Sequence, residues 1–65
     1  MINAVLIVVG SGVFIPIKLP VIPKIGEGIT YYDSLGKEHC SMISHIVYIL
    51  GIDNQLEKVN IIINK

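Results

Sequence analysis

The sequence of 65 residues contains no tryptophan, no arginine, one alanine and one cysteine. A single cysteine excludes a disulfide framework within one chain. Charged residues make up only 15% of the chain, and five lysines balance five acidic residues, so the formal net charge is zero. This balance disfavours a nucleic-acid binder that works by neutralising phosphates. The low charge, together with 52% hydrophobic residues, argues against disorder.

The residues that are abundant are isoleucine and valine, which supply 14 and 7 of the 65 positions. Both are stiff at χ1 and favour pleated surfaces, whereas alanine, the best helix former, is almost absent. The length allows one small domain. We therefore predict a single β-rich domain over residues 1–65.

The first 17 residues carry no charged side chain and resemble a membrane segment by hydropathy alone. A glycine-rich interruption at 10–12, a proline at Pro16 and a charge at Lys18 end the run before it reaches the roughly 20 apolar residues that a span needs. We expect a soluble, cytoplasmic protein, and Cys40 fits a reducing compartment. A small membrane-associated protein remains a weaker alternative.

Alternation of residue types predicts five strands, joined by turns at 10–12, 33–36 and 51–55. The fourth segment breaks strict alternation near Ile43 and Ser44, which indicates a β-bulge, and a helix over 40–49 is the alternative there. In the second strand Pro16 cannot donate a ladder hydrogen bond, so we expect an edge or a bulge at that point. The predicted strands are 5–9, 13–19, 29–32, 39–50 and 58–64.

Five strands with short turns predict an all-β fold, a five-stranded SH3-like small barrel. Pro20 and Pro23 make the connector after the second strand stiff, and its apolar residues should lie across the open end of the core. An OB-type barrel usually has a helix between its third and fourth strands. Only four residues separate Tyr32 from Lys37, so the SH3-like arrangement is favoured.

The connector also carries a motif, Leu19-Pro20-x-x-Pro23-x-x-Gly26-Glu27-x-Ile29. This pattern, between a strand pair and two further strands, resembles a group of short, uncharacterised bacterial and prophage proteins that look like SH3-like small barrels. The resemblance implies a fold and no catalytic residues. The chain departs from the group at Gly28, where a larger residue is expected.

Residue types that could carry chemistry are few and poorly spaced. His39, Cys40 and His45 suggest metal ligands, but six residues of strand separate the histidines by about 20 Å, and Asp33 is the only nearby additional donor. A nucleophilic site from Ser41 or Ser44 with His45 and Asp53 has no flanking motif. The glycine-rich loops 10–12 and 26–28 lack phosphate-loop features. We predict no catalytic, cofactor or metal site, with Cys40 in the core and both histidines at the surface or the rim.

An interaction surface is the remaining prediction. The first strand has almost no charge to protect its edge, and Ile62 shares the outward face of the last strand with Asn60 and Asn64. Tyr31 or Tyr32, Tyr48 and Glu27 could form a thin peptide groove. We predict a non-enzymatic interaction or assembly module that binds a protein partner or itself, through the first-strand edge and the proline connector. A nucleic-acid-binding barrel is the alternative. The candidate residues are Val5, Ile7, Pro20, Pro23, Tyr31, Tyr48 and Ile62.

Overall fold

A computed structural model describes residues 1–64 of the chain, and these residues form five β-strands and no helix. The predicted all-β class and number of strands are therefore confirmed. The segment 40–49 is strand, so the helical alternative is wrong. With no helix, these residues also contain none long and apolar enough to cross a membrane. The strands are β1 Ile2–Val8, β2 Val13–Leu19, β3 Gly28–Tyr32, β4 Glu38–Leu50 and β5 Leu56–Ile63.

The five strands form one curled, half-barrel sheet in the order β2-β1-β5-β4-β3. β1 and β5 run parallel, and all other neighbours are antiparallel. No ladder joins β2 to β3 within residues 1–64, so the sheet has open edges at these two strands. The prediction of an exposed first-strand edge is wrong, because β1 lies between β2 and β5. The inner position of β1 cannot be inferred from its own residues, because it results from pairing with β5, which is distant in the sequence.

The prediction of an edge strand at Pro16 is confirmed. Pro16 lies in β2, opposite Val5 of β1, and the other side of β2 is open. A residue without a backbone N–H is tolerated there, because an edge strand needs donors toward one neighbour only. Proline and lysine on an edge also hinder pairing with another chain, and Lys18 follows in the same strand.

The long strand β4 pairs with both β3 and β5, and it contains a bulge between the two paired parts. The first part of β4, Glu38 to Met42, pairs with β3, and the part from Ile43 onward pairs with β5. The register shifts between Ile43 and His45, so the bulge predicted at Ile43-Ser44 is confirmed. Bulges bend a strand and increase its twist, which allows the sheet to curl around its buried face.

The core lies on the inner face of the curl. Leu6 and Ile61 are fully buried and are cross-strand neighbours in the parallel pair. The apolar connector residue Ile22 packs against this cluster, as predicted. Cys40 is exposed, which corrects its assignment to the core: Ile43 points inward, so alternation places Ser41 and His39 inward and Cys40 outward. The buried side chains are Ala4, Leu6, Val8, Ile43, Val59, Ile61 and Ile63.

Candidate interaction surface

The opposite surface of the four strands β2, β1, β5 and β4 is a grid of side chains in three rows. Directly paired residues share a face of a sheet, and successive residues alternate between faces, so the registers define the rows. We call these twelve residues the outer face. The first row is Phe14, Ile7, Ile62 and His45; the second is Pro16, Val5, Asn60 and Val47. The third consists of two pairs, Lys18 with Asn3 and Lys58 with Ile49, next to each other where the β1–β5 ladder begins at Ala4 and Val59.

Seven of the twelve outer-face residues are apolar, and none is acidic. Phe14 is 66% exposed and Val47 is 42% exposed, while Val5, Ile7 and Ile62 between them are partly covered by their neighbours. Large contiguous apolar patches on a protein surface often mark interaction sites. The outer face is therefore a candidate interaction surface.

A shallow groove of about 310 Å³ runs through one end of the outer face. Its outer-face lining residues are Asn3, Val5, Pro16, Lys18 and Lys58. The floor is apolar, and the two charged residues are both cations. Neither lysine forms an ion pair with any side chain in the described part of the chain. The groove therefore combines apolar contact area with two unpaired positive charges.

The candidate residues predicted from the sequence do not lie together in the structure. Val5, Ile7 and Ile62 lie together in the centre of the outer face, where Ile7 is opposite Ile62. Pro20 and Pro23 lie in the connector.

The two prolines line a second groove, of about 460 Å³, between the connector and the start of β3. The connector is held in place by its own turn: Glu27 Oε1 accepts a hydrogen bond from the Lys24 N–H at 2.6 Å, and Gly26 N–H donates to the Ile43 carbonyl oxygen at 2.9 Å. The Glu27 carboxylate thus stabilises the turn at the end of the connector.

Tyr31 and Tyr48 lie on the inner side of the sheet, away from the outer face. Tyr31 is half-buried and packs against the core, and its ring stacks on His39 with centroids 5.1 Å apart. Tyr48 is opposite Val59 in the β4–β5 pair and is 56% exposed. The sequence-predicted surface is therefore not one continuous site, and only its β1 and β5 members belong to the outer face.

Asp33 and His39 form the one ion-pair geometry found within residues 1–64. Asp33 Oδ2 lies 2.8 Å from His39 Nε2, while Oδ1 accepts hydrogen bonds from the N–H groups of Leu35 and Lys37, both at 2.9 Å. The bond from His39, followed by that from Lys37, lowers the pKa of the Asp33 carboxyl. These contacts close the β3–β4 turn. Within the same residues no group of three or more metal-ligating side chains occurs.

The serines considered as nucleophiles are bonded to backbone carbonyls. Ser41 Oγ donates to the Asn64 carbonyl oxygen, and Ser44 Oγ donates to that of Ile62 at 3.0 Å. His45 Nδ1 lies 3.2 Å from Ser44 Oγ. Since the single hydroxyl proton of Ser44 is directed at Ile62, His45 acts toward it as a donor and not as a base. This arrangement does not activate a serine for attack.

Phe14, Val47, Lys18 and Lys58 belong to the outer face but are not among the residues predicted from the sequence. A signal was present, because Phe14, Pro16 and Lys18 alternate on one face of a predicted strand. These residues form part of one surface only because β1, β5 and β4 lie beside β2 in this order. That order depends on pairing between segments that are distant in the sequence. A comparison of the chain with protein-family models finds no match, and comparisons with curated proteins and with solved structures also find none.

Proposed function

We propose that this chain is a protein-interaction and self-assembly module, without catalytic activity, that binds through its outer face. The observation that supports the proposal is the continuous apolar surface across β2, β1, β5 and β4, which contains no acidic side chain. Asp33 and His39 are engaged in the β3–β4 turn, and the hydroxyls of Ser41 and Ser44 donate to backbone carbonyl oxygens.

The surface area of the chain supports self-association. Its accessible surface is 4678 Å², whereas a folded monomer of 7.1 kDa is expected to expose about 4,100 Å². The excess of roughly 600 Å² is close to the ~800 Å² that each partner buries in an interface of standard size. A half-barrel with seven buried apolar side chains among residues 1–64 gains stability by covering this area.

The finer identity of the fold and the location of the protein are part of the same proposal. Five strands, a curl and a bulge support classification as an SH3-like small barrel. The parallel β1–β5 pair and the open edges are individual features of this chain. The resemblance of the 19–29 segment to bacterial and prophage proteins stays a prediction. An exposed free thiol at Cys40 supports a cytoplasmic location, because thiols remain reduced there.

The experiment that tests the function is sedimentation velocity from about 10 µM to about 1 mM, a range that covers weak dimers. We expect the wild-type protein to associate as its concentration rises. The double variant Phe14→Thr with Val47→Thr should shift this association to at least about tenfold higher concentration, because two exposed anchors of the outer face are removed.

The matched control is Tyr32→Thr with Met42→Thr, which also removes two exposed apolar side chains from strands but lies on β3 and the first part of β4. This variant should associate as the wild type does. A wild-type protein that stays monomeric throughout the range would contradict self-assembly. Equal weakening by both double variants would contradict the assignment of the outer face.

Nucleic-acid binding is a second candidate, favoured by one specific observation. Phe14, Lys18 and Lys58 are exposed on one face without a carboxylate, and single-strand binders combine cations with stacking aromatics. Retention on immobilised single-stranded DNA that decreases steeply with salt would support this candidate. Loss of that retention in Phe14→Thr would attribute it to the outer face, whereas absence of retention at low salt would eliminate it.

A further inference from the structure

The open edge at β3 presents backbone groups without a partner strand. In the β3–β4 hairpin the Ile43 N–H donates to the Glu27 carbonyl oxygen at 2.9 Å, and the Asp33 N–H donates to the Lys37 carbonyl oxygen at 3.0 Å. Bonded and non-bonded pairs alternate along an antiparallel ladder, so the odd-numbered residues of β3 bond to β4. The N–H and C=O groups of the even-numbered residues therefore point to the open edge. These residues are Gly28, Thr30 and Tyr32, and all three are exposed.

The two open edges of the sheet differ in their protection against pairing. β2 carries Pro16 and Lys18, which are residue types that hinder the addition of another chain. β3, by contrast, contains neither a proline nor a charged residue. Within residues 1–64, no turn or connector backbone bonds to the N–H or C=O groups of Thr30 and Tyr32. β3 is therefore the better acceptor for a further strand.

The groove between the connector and the start of β3 lies beside this edge, on the inner side of the sheet. Ile29 and Ile43 contribute to its lining, and both belong to the core or pack against it. On the connector side the lining includes Val21 and Ile22. A strand added to β3 would direct every second side chain to this side of the sheet. Apolar side chains at alternate positions would therefore enter the groove.

A second copy of the chain is a poor occupant of this edge. If Thr30 paired with Thr30 of the second copy, Glu27 would lie opposite Asp33 of that copy, and like charges directly opposite each other are destabilising. Registers shifted by two residues place the connector or the 33–36 turn of one copy against β3 of the other. An extended segment without folded flanks meets neither obstacle.

We infer that the β3 edge and the groove beside it bind an extended segment of a partner protein, which adds antiparallel to β3 as a further strand. Main-chain hydrogen bonds to Thr30 and Tyr32 contribute affinity, and apolar side chains at every second position of the segment provide specificity in the groove. Antiparallel pairing is the more stable direction per residue. This site is separate from the outer face and does not depend on self-association.

The probe that tests this inference is the capped peptide Lys-Val-Thr-Val-Thr-Val-Lys. Its valines face the groove, its threonines lie opposite the edge-facing residues of β3, and its lysines keep it soluble. An NMR titration of the isotope-labelled protein should show the largest shifts at Gly28, Thr30 and Tyr32, and none at Ile7 and Ile62 on the outer face. With the peptide at about ten times its Kd, hydrogen exchange of the Thr30 and Tyr32 amides should slow about tenfold.

Modified peptides separate main-chain pairing from contact with the groove. N-methylation of both threonines removes the N–H groups that face β3 and should weaken binding at least about tenfold. N-methylation of the valines changes N–H groups that point away from β3, so this matched control should bind as the unmodified peptide does. Replacement of the three valines by serine keeps the main chain but removes the apolar side chains, and it should also weaken binding at least about tenfold.

Two variants at one position test the same edge from the side of the protein. Thr30→Pro removes an N–H that does not bond to β4, so it should abolish peptide binding while the fold is kept. Thr30→Val retains this N–H and should bind the peptide as the wild type does. Circular dichroism verifies that both variants are folded, and the methylated peptides test the wild-type protein whatever the outcome for the proline variant.

The outcomes separate this inference from the proposed function. Absence of saturable binding up to about 1 mM peptide, equal binding by the two methylated peptides, or shifts confined to the outer face would overturn the inference. Slower exchange of the Thr30 and Tyr32 amides with rising protein concentration, without peptide, would place a second copy on the edge and would also overturn it. Peptide binding by a strictly monomeric protein supports the inference and contradicts the proposed self-assembly.

Discussion

Asp33 Oδ2 lies 2.8 Å from His39 Nε2, so a side-chain pair joins the first residue of the β3–β4 turn to the second residue of β4. The same carboxylate also accepts hydrogen bonds from two backbone N–H groups of the turn. The Asp33 carboxylate thus stabilises the β3–β4 hairpin, in which β3 is an open edge of the sheet.

This arrangement predicts a specific loss of stability in acid. The His39 bond, followed by the Lys37 N–H bond, lowers the pKa of Asp33 from its ordinary 3.8. A lowered pKa in the folded protein means that the stabilisation is fully present above pH 3.8 and is lost as the pH falls through the lower, folded-state value. Asp33→Asn should therefore unfold at lower urea concentration than the wild type at pH 6. The difference should shrink progressively below pH 3.8, and a difference that stays constant to pH 2 would contradict this account.

The second prediction concerns the centre of the core. Ile61 is fully buried between Leu6 and Ile46 in neighbouring strands. Ile61→Ala should lower the free energy of unfolding by about 2–5 kcal/mol, because it leaves a cavity. In a chain of this size that loss approaches the total stability. The control Ile52→Ala, at a fully exposed position, should change it by less than about 0.5 kcal/mol in dilute protein, as measured by urea titration. Similar losses in both variants would contradict the assigned core.

The third prediction contrasts two glycines. Gly36 has φ of 80° in the β3–β4 turn, so Gly36→Ala should destabilise the protein by about 1–2 kcal/mol through left-handed backbone strain. Gly28 has no such conformation, and a Cβ there would lie 3.9 Å from the nearest atom, the Ser41 carbonyl oxygen. Gly28→Ala should stabilise the protein by about 0.4–1 kcal/mol, since it restricts the unfolded chain. Urea titration measures both, and changes of the same sign would contradict the argument.

Local patterns predicted much of this fold. The bounds of β2, the inward alternation of β5, the bulge near Ile43 and the edge position of Pro16 all follow from residue type and spacing. Each depends on contacts within one strand or on the chemistry of a single residue. These are the features that a short stretch of sequence encodes.

Features that depend on distant pairing could not be predicted in the same way. Residues 2–8 predict an open edge for the first strand, because nothing in them indicates that β5 lies beside it. The outer face was missed for the same reason, since Phe14 and Val47 become parts of one surface only through β1 and β5. The exposure of Cys40 follows from alternation, once Ile43 is known to point inward.

The parallel ladder between β1 and β5 has a consequence for how the chain is made. Ala4 pairs with Val59, so the partner of the first strand is synthesised only after β2, β3 and β4. Until then the β1–β2 hairpin has an uncovered apolar flank, and completing the sheet requires closure of a loop that includes these three strands. Before β5 is synthesised, the uncovered apolar flank of the β1–β2 hairpin is therefore available to a chaperone or to a neighbouring nascent copy.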